Sequence, residues 1–344
     1  MLSVRVAGAW LSTISGLGGY GPITVEHGLH GLDRASWSMD PDLQHPALHG
    51  NALVTIYDGG FPIGSGTLVE PGADGEYEVR GLWMQADGVP ALAADGSITT
   101  TLNEAIDQAI LRGDVWWTRG MSFSAEPFGE PTGETTLGSL LDSFCAAMGT
   151  RWRVFPPGVA THGVDEVAPR WRVPHAVAGR GLTPAEDEFY THLAGRYVEA
   201  VTGQYRTEMV GSAEAAAQFG RRTRLVDLTK MGPITQALAN EVLVGMLLRS
   251  GARMGWGEGL ELGHGQITTL GSTPADLAQV QAGHVVRLDG VADVSRPGTF
   301  RPYTDILIER SRYTDGEQRI SLTPQGYAPR SYEDILQAAI EGAA

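Results

Sequence analysis

This chain has almost no cysteine, almost no lysine and no long apolar run. Cys145 is the one cysteine, so no intrachain disulfide can form, and a fold that relies on oxidising conditions is excluded. Lys230 is the one lysine among 25 basic side chains. The rest are arginine, a bias that GC-rich coding explains more simply than a need for the guanidinium fork. Against those 25 stand 40 acidic residues, for a net charge of −15 and a pI near 5.0. Binding nucleic acid through phosphates needs clustered basic residues, which this balance argues against. The most apolar long stretch, Ile234 to Leu248, contains Gln236, Asn240 and Glu241 and would bury polar groups if it crossed a bilayer. The N-terminus alternates Val4 and Val6 about Arg5 and lacks the apolar core of a signal peptide; the expectation is a soluble chain made in a cytoplasm.

Glycine and proline are in excess. The 46 glycines and 19 prolines make nearly a fifth of the chain, above the usual ~12% and below the disordered range, which points to many turns and many strands. With 344 residues, 42% of them hydrophobic, two or three domains with real cores are expected.

Residues 1–90 read as β. A short alternating run, Leu2 to Trp10, precedes the strand Leu53 to Tyr57, the turn Asp58-Gly59-Gly60 and a return strand from Ile63 to Glu70. Gly64 and Gly66 interrupt that return and predict a sharp twist or a bulge. Ala73-Asp74-Gly75 then turns into Tyr77 to Trp83. From residue 91 the period changes. Thr101 and Glu104 have capping-box spacing ahead of Leu102, Ala105, Ile106, Ala109 and Ile110, with Gly113 as C-cap. Leu137, Leu140, Leu141, Phe144, Cys145 and Met148 form the face of a second helix closed by Gly149, and Trp152 and Val154 begin a strand. Residues 155–190, with Pro156, Pro157, Pro169, Pro174 and Pro184, read as a long connection. Further on, Arg196 to Thr202, Thr223 to Leu228 and Gly283 to Leu288 are strand-like, and Gly232-Pro233 opens a helix, Ile234–Arg249, with proline in its first turn. Asp315-Gly316 joins two strands as a hairpin. Ser331 caps a last helix with Ile335, Leu336, Ala339 and Ile340 on its apolar face.

The segment Gly50 to Gly59 is echoed by Gly283 to Gly290, each a glycine, a hydrophobic strand and an Asp-Gly turn. Two readings stand side by side: hairpins look alike, or a barrel is duplicated.

Candidate chemistry is thin. Gly16-Leu17-Gly18-Gly19-Tyr20-Gly21 has dinucleotide-loop spacing, but Pro22, Thr24 and Val25 follow where a helix N-terminus is needed. His27 and His30 lie near Asp33, and His45 and His49 are four apart, yet Pro46 and Gly50 argue against the helix that would put the latter pair on one metal. Cys145 sits among apolar helix positions, as a core residue does. Ser65, in Gly64-Ser65-Gly66, has no nucleophile-elbow frame, and Ser122 and Ser124 have no better one. Glu186-Asp187-Glu188 is the longest acidic run, read as a solvated turn, although a carboxylate pair for glycan hydrolysis need not be close in sequence. Trp116 and Trp117 should face opposite ways on a strand, one into the core and one toward an interface. No catalytic, cofactor or metal residue is assigned.

The block from His30 to Pro71 joins an Ala35-Ser36-Trp37 strand, a loop ending in His45-Pro46-Ala47-Leu48-His49-Gly50, and the glycine-rich hairpin. Four further pieces follow in order: Asn103 to Asp107 leading to Trp116; Thr136 to Asp142 leading to Trp152-Arg153-Val154; Arg221 to Gln236; and Gly283 to Pro324. Together they resemble the tail hub proteins, often called minor tail proteins, of phages infecting Actinobacteria, a family similar to the hub of contractile-tail baseplates. The resemblance implies an α+β, β-dominated chain with two tube-like β-barrel domains. Barrel one lies within 1–90, a helical or α+β insertion within 91–175, barrel two within 176–290 with helix 233–249, and a peripheral C-terminal hairpin and helix in 291–344. It implies a homotrimer at the tail tip of a virion, assembled in the host cytoplasm, in which six barrels meet a six-fold tube. The implied partners are the distal tail protein ring, the tape measure protein and tip or receptor-binding proteins, with DNA passing through unbound. It implies no enzyme activity, no cofactor and no membrane insertion. Alternatives are the distal tail ring protein itself, with six copies, a cell-wall glycan hydrolase and a glycan-binding module.

Overall fold

A computed structural model describes residues 1–69, 74–121, 123, 125, 127, 135–148, 150–163, 168–174, 182–184, 190–213, 216, 217, 220–229, 232–251, 254–256, 260–290 and 303–324. The fold is α+β and dominated by strands, with one open, curled sheet and a helical insertion. Among the described residues that sheet has thirteen strands. Its order runs Thr268–Thr269, Trp171–Val173, Val285–Asp289, Tyr303–Thr314, Thr24–Gly28, Gly31–Ser38, Glu76–Gly81, Phe61–Leu68, Leu53–Asp58, Leu2–Val6 and Ala9–Trp10. Arg319–Pro324 also pairs with Tyr303–Thr314, and Leu260–Gly263 pairs with Arg319–Pro324.

Alternation makes this sheet. In Leu2–Val6 the side chains of Leu2, Val4 and Val6 are buried while Arg5 is exposed, and Glu76–Gly81 repeats the pattern with Tyr77 and Val79 inside. One face is therefore apolar and one polar, as a sheet wet on one side requires. The apolar face divides into two cores. Leu2, Val4, Trp37, Val54, Ile56 and Val79 belong to one, and Val173, Leu262, Val286, Leu288, Ile308 and Leu322 to the other. Tyr313 packs against both.

Each core sits under an antiparallel meander. Leu53–Asp58, Phe61–Leu68 and Glu76–Gly81 pair in sequence, and the third strand pairs with the earlier Gly31–Ser38. Val285–Asp289, Tyr303–Thr314 and Arg319–Pro324 do the same, and the third pairs with the earlier Leu260–Gly263. The sequence echo thus falls on the first strand of each meander. The flanking partner differs: Leu2–Val6 runs antiparallel to Leu53–Asp58, whereas Trp171–Val173 runs parallel to Val285–Asp289.

The resemblance implies two tube-like barrels and a peripheral C-terminal hairpin. In the structure the hairpin Tyr303–Pro324 is central. Tyr303–Thr314 is twelve residues long; its first half pairs with Val285–Asp289 and its second half reaches Thr24–Gly28, Ser311 opposite His27 and Thr314 opposite Thr24. That strand joins the halves into one open sheet instead of closing its own. The Asp315-Gly316 turn is present, with Gly316 at φ 83°. The helix expected after Ser331 lies outside the described residues.

The insertion has its own core. Helices Leu102–Arg112 and Leu137–Met148 bury Leu102, Ile106, Ala109, Leu137 and Leu141 against Trp117, Trp152 and Ala160 beside a small sheet of Thr118–Arg119, Val159–Gly163 and Arg151–Phe155. Gly113 caps the first helix in the left-handed region (φ 76°). The Thr101–Glu104 capping box does not form. Glu104 instead accepts from the Thr99 hydroxyl at 3.2 Å, and that hydroxyl accepts from the Thr101 N–H at 3.1 Å.

The strands of 176–290 are shared out. His192–Glu199, Tyr205–Gly211, Thr223–Asp227 and Pro233–Ile234 make a four-stranded sheet under the helix Gln236–Gly251, while Leu260–Gly263, Thr268–Thr269 and Val285–Asp289 enter the main sheet. Pro233 is not in the helix's first turn. Pro233–Ile234 pairs with Val198–Glu199, and the helix begins after Thr235, whose hydroxyl accepts from the Leu238 N–H at 3.3 Å.

The predicted irregularity at Gly64 is a bulge: Ile56 opposes Gly64 and Tyr57 opposes Pro62, leaving Ile63 between them. Gly66 and Gly81 face each other, and a Cβ at Gly81 would run into the Leu32 carbonyl oxygen. Gly81→Ala is therefore expected to destabilise by more than about 2 kcal/mol. Gly163→Ala, with nothing near the added carbon, should stay within about 0.5 kcal/mol. Urea unfolding of both variants checks this.

Candidate assembly surfaces

Three units meet at a cleft of about 610 Å³, lined among others by His27, Ile63, Phe155, Trp171, Gln281 and His284. Its two histidines are internal fasteners. His27, on Thr24–Gly28, is buried and donates from Nε2 to the Ile63 carbonyl at 2.8 Å, across the bulge. Burial pushes its pKa down to about 4. His284, just before Val285–Asp289, accepts the Trp171 indole N–H at Nδ1 (3.1 Å) and the Gln281 N–H (3.3 Å). Burial, with the Arg170 guanidinium beside it, pushes it down to about 3. Gln279 and Gln281 cross from the second half to the first, donating to Asp58 at 3.2 Å and to the Ile63 carbonyl at 3.4 Å. A carboxyl pair, Asp58 and Asp276, lies at the same seam, with Asp276 raised by burial and by its neighbour.

His30 fastens the insertion. Its Nδ1 donates to the Trp152 carbonyl at 3.0 Å, and its ring lies 5.0 Å from Trp83 and 4.8 Å from Trp152. Both indoles are tied to acids, Trp83 to Asp33 at 3.1 Å and Trp152 to Asp142 at 2.6 Å. Val154 completes the contact by donating to the His30 carbonyl at 2.9 Å. Burial lowers His30 and raises Asp33. So His30 and Asp33, near each other in the sequence, both meet the Trp83 indole at a structural seam.

The other candidates disperse. His45 accepts from the Ala47 N–H at 3.1 Å, and His49 donates to the Gly50 carbonyl at 2.9 Å. No three metal-capable side chains converge among the described residues. Gly16–Gly18 is a single 3₁₀ turn followed by the strand Thr24–Gly28, with no helix to receive a pyrophosphate. Cys145 is buried, and burial pushes its thiol up, away from reactivity. Ser65 is buried in its strand. Trp117 is buried and Trp116 exposed, in the alternation expected of them. Ser122, Ser124 and Glu186-Asp187-Glu188 lie outside the described residues.

One surface carries no mark in the sequence. The face of the four-stranded sheet away from its helix carries exposed Tyr205, Met209 and Leu225. Thr223 to Leu228 reads as a strand, but its solvent side is set by the tertiary position of the helix, which no local pattern gives.

No protein-family model matches this chain, and no curated protein matches it by sequence. Solved structures do. A 43 kDa tail protein of prophage MuSo2 from Shewanella oneidensis aligns over 94% of this chain and 97% of its own, with a TM-score of 0.53 at 11% identity. The chain has the fold of a phage tail protein. A tail protein from Neisseria meningitidis aligns over 95% of this chain and 99% of its own (TM-score 0.48, 13% identity). The prophage tail protein gp18 from Listeria monocytogenes aligns over 100% and 99% (TM-score 0.45, 11% identity).

Within this tail-protein fold the buried histidines set an acid limit. The unfolded chain takes up protons near pH 6.5, while native His27 and His284 resist until about 4 and 3. The contribution of these two histidines is therefore level above pH 6.5 and falls as pH drops below it, by up to about 1.4 kcal/mol per pH unit for each of them. Unfolding free energies between pH 6.5 and 5, above the ordinary carboxylate range, should show this slope. The His27→Gln/His284→Gln variant should flatten it; equal slopes would contradict the assignment.

Proposed function

We propose that this chain is a tail hub, a structural virion protein that joins a six-fold tail tube to a three-fold tip as a homotrimer. The observation that carries the reading is the likeness in fold, over nearly the full length of both chains, to a prophage tail protein. Two matching meanders over two cores in each chain support it further. Three chains with two such halves supply six similar modules, which reconciles three-fold with six-fold packing. On this reading the neighbours are the distal tail protein ring, the tape measure protein and tip or receptor-binding proteins, and the hub opens when DNA leaves. Its role is mechanical rather than enzymatic, and the ordered segments quoted above favour phages of Actinobacteria as its source.

The net charge of −15 suits a conduit: an acidic wall repels phosphate, so DNA slides without sticking. In the assembled tip, strands facing the channel should carry more Asp and Glu than Arg, and a density map with a basic channel wall would remove this part of the reading. Mass measurement of the purified chain, alone and with the adjacent tail proteins, tests the rest. Three copies per assembly are expected, and six would move the chain to the distal tail ring.

A further inference from the structure

We infer that the open face of the four-stranded sheet is a subunit contact, and that its occupant is the acid-rich N-terminal part of a second copy of this chain. The inference rests on the trimeric reading above and deepens it. Strand register puts Met209, Ala194 and Leu225 in one row across the sheet, Thr207, Arg196 and Asp227 in the next, and Tyr205 beside Val198. The opposite face is spent: Leu193 and Tyr197 pack with Leu243 and Leu247 of the helix, and a Cβ at Gly195 would meet the Leu243 side chain. On the open face Tyr205, Met209 and Leu225 are 65%, 51% and 69% exposed: Met209 and Leu225 flank Ala194 in one row, and Tyr205 stands beyond the polar row of Thr207, Arg196 and Asp227, a mixed apolar and charged face of the kind that marks an interface.

The edge points the same way. Among the described residues the main sheet ends in the two-residue strands Ala9–Trp10 and Thr268–Thr269 and, on its branch, in the four-residue Leu260–Gly263, short edges that offer little to a stray partner. The small sheet ends in Tyr205–Gly211, seven residues long, with neither proline nor lysine to blunt it.

Charge selects the partner. Residues 190–229 hold five arginines against four acids, whereas residues 1–121 hold five against fourteen. Arginines touch the apolar members of the open face: the Arg196 guanidinium, from the middle of the face, lies 4.5 Å over the Tyr205 ring and Arg221 reaches the Met209 sulfur at 3.3 Å. One chain therefore carries both members of a complementary pair at different places. That is the requirement for a head-to-tail contact, which closes into a ring when the rotation per subunit allows.

The test is the oligomeric state of the full chain. Wild type should sediment as a trimer at tens of micromolar and dissociate as salt is raised. The variant Met209→Glu/Leu225→Glu should sediment as a monomer, associating at least about tenfold more weakly, with an unchanged circular dichroism spectrum. Arg221→Glu, a milder loop change, should weaken association and reduce its salt dependence, and serves if the double variant folds poorly. Trimers that survive both variants would overturn the inference and leave the hub reading standing, with the face assigned to a different tail protein. A wild-type chain that stays monomeric would also overturn it. Six copies would remove the hub reading itself.

Discussion

The structure depends on one strand pairing. Tyr303–Thr314 lies antiparallel to Thr24–Gly28 over four residue pairs, and everything else follows from where that contact falls. It turns two meanders into one sheet and sets Tyr313 between the two cores. It also brings the loop carrying Gln279, Gln281 and His284 against Ile63 and Asp58 of the other half. Without it each half would keep a core of modest size and an unpaired edge.

Around that pairing the polar groups divide into two kinds. Those at seams are buried or half-buried and matched: His27 on the Ile63 carbonyl, His284 on the Trp171 indole, and His30 between two indoles each tied to a carboxylate. Each such bond is worth little net but is costly to leave unmade in a dry site, so the seams favour one arrangement of the three units. Those on the outer faces are solvated ion pairs, such as Arg34 with Glu78 and Arg287 with Asp305, which add little stability. Rigidity between units therefore comes from a few histidines and tryptophans rather than from the many charges.

Much of the local structure was legible in the sequence. The Leu53 strand, its Asp58-Gly59-Gly60 turn and the bulge near Gly64 follow from alternation and glycine placement. The two insertion helices follow from Leu102, Ile106 and Ala109 and from Leu137 and Leu141. The helix after Pro233 begins at Gln236, later than the pattern predicts, because proline suits a first turn as well as a short strand. The pairing of Thr24–Gly28 with Ser311–Thr314 carries no local mark, since edge-to-edge choice between distant strands depends on the whole sheet. For the same reason the hairpin at Asp315-Gly316 is legible in the sequence while its central place is not. The histidines read as ordinary loop residues; their role depends on burial, which arises only when the insertion and the second half close over them.

The Thr24 and Thr314 hydroxyls meet at 3.0 Å across 290 residues of chain. Such separation implies a high contact order and slow closure. A nascent polypeptide presents Thr24–Gly28 long before its partner leaves the ribosome. Until then the first half waits with the edge that Ser311–Thr314 will cover still unpaired by it. Synthesis of this protein thus contains a vulnerable interval, whose length is set by the time taken to translate the insertion and the small sheet that lie between.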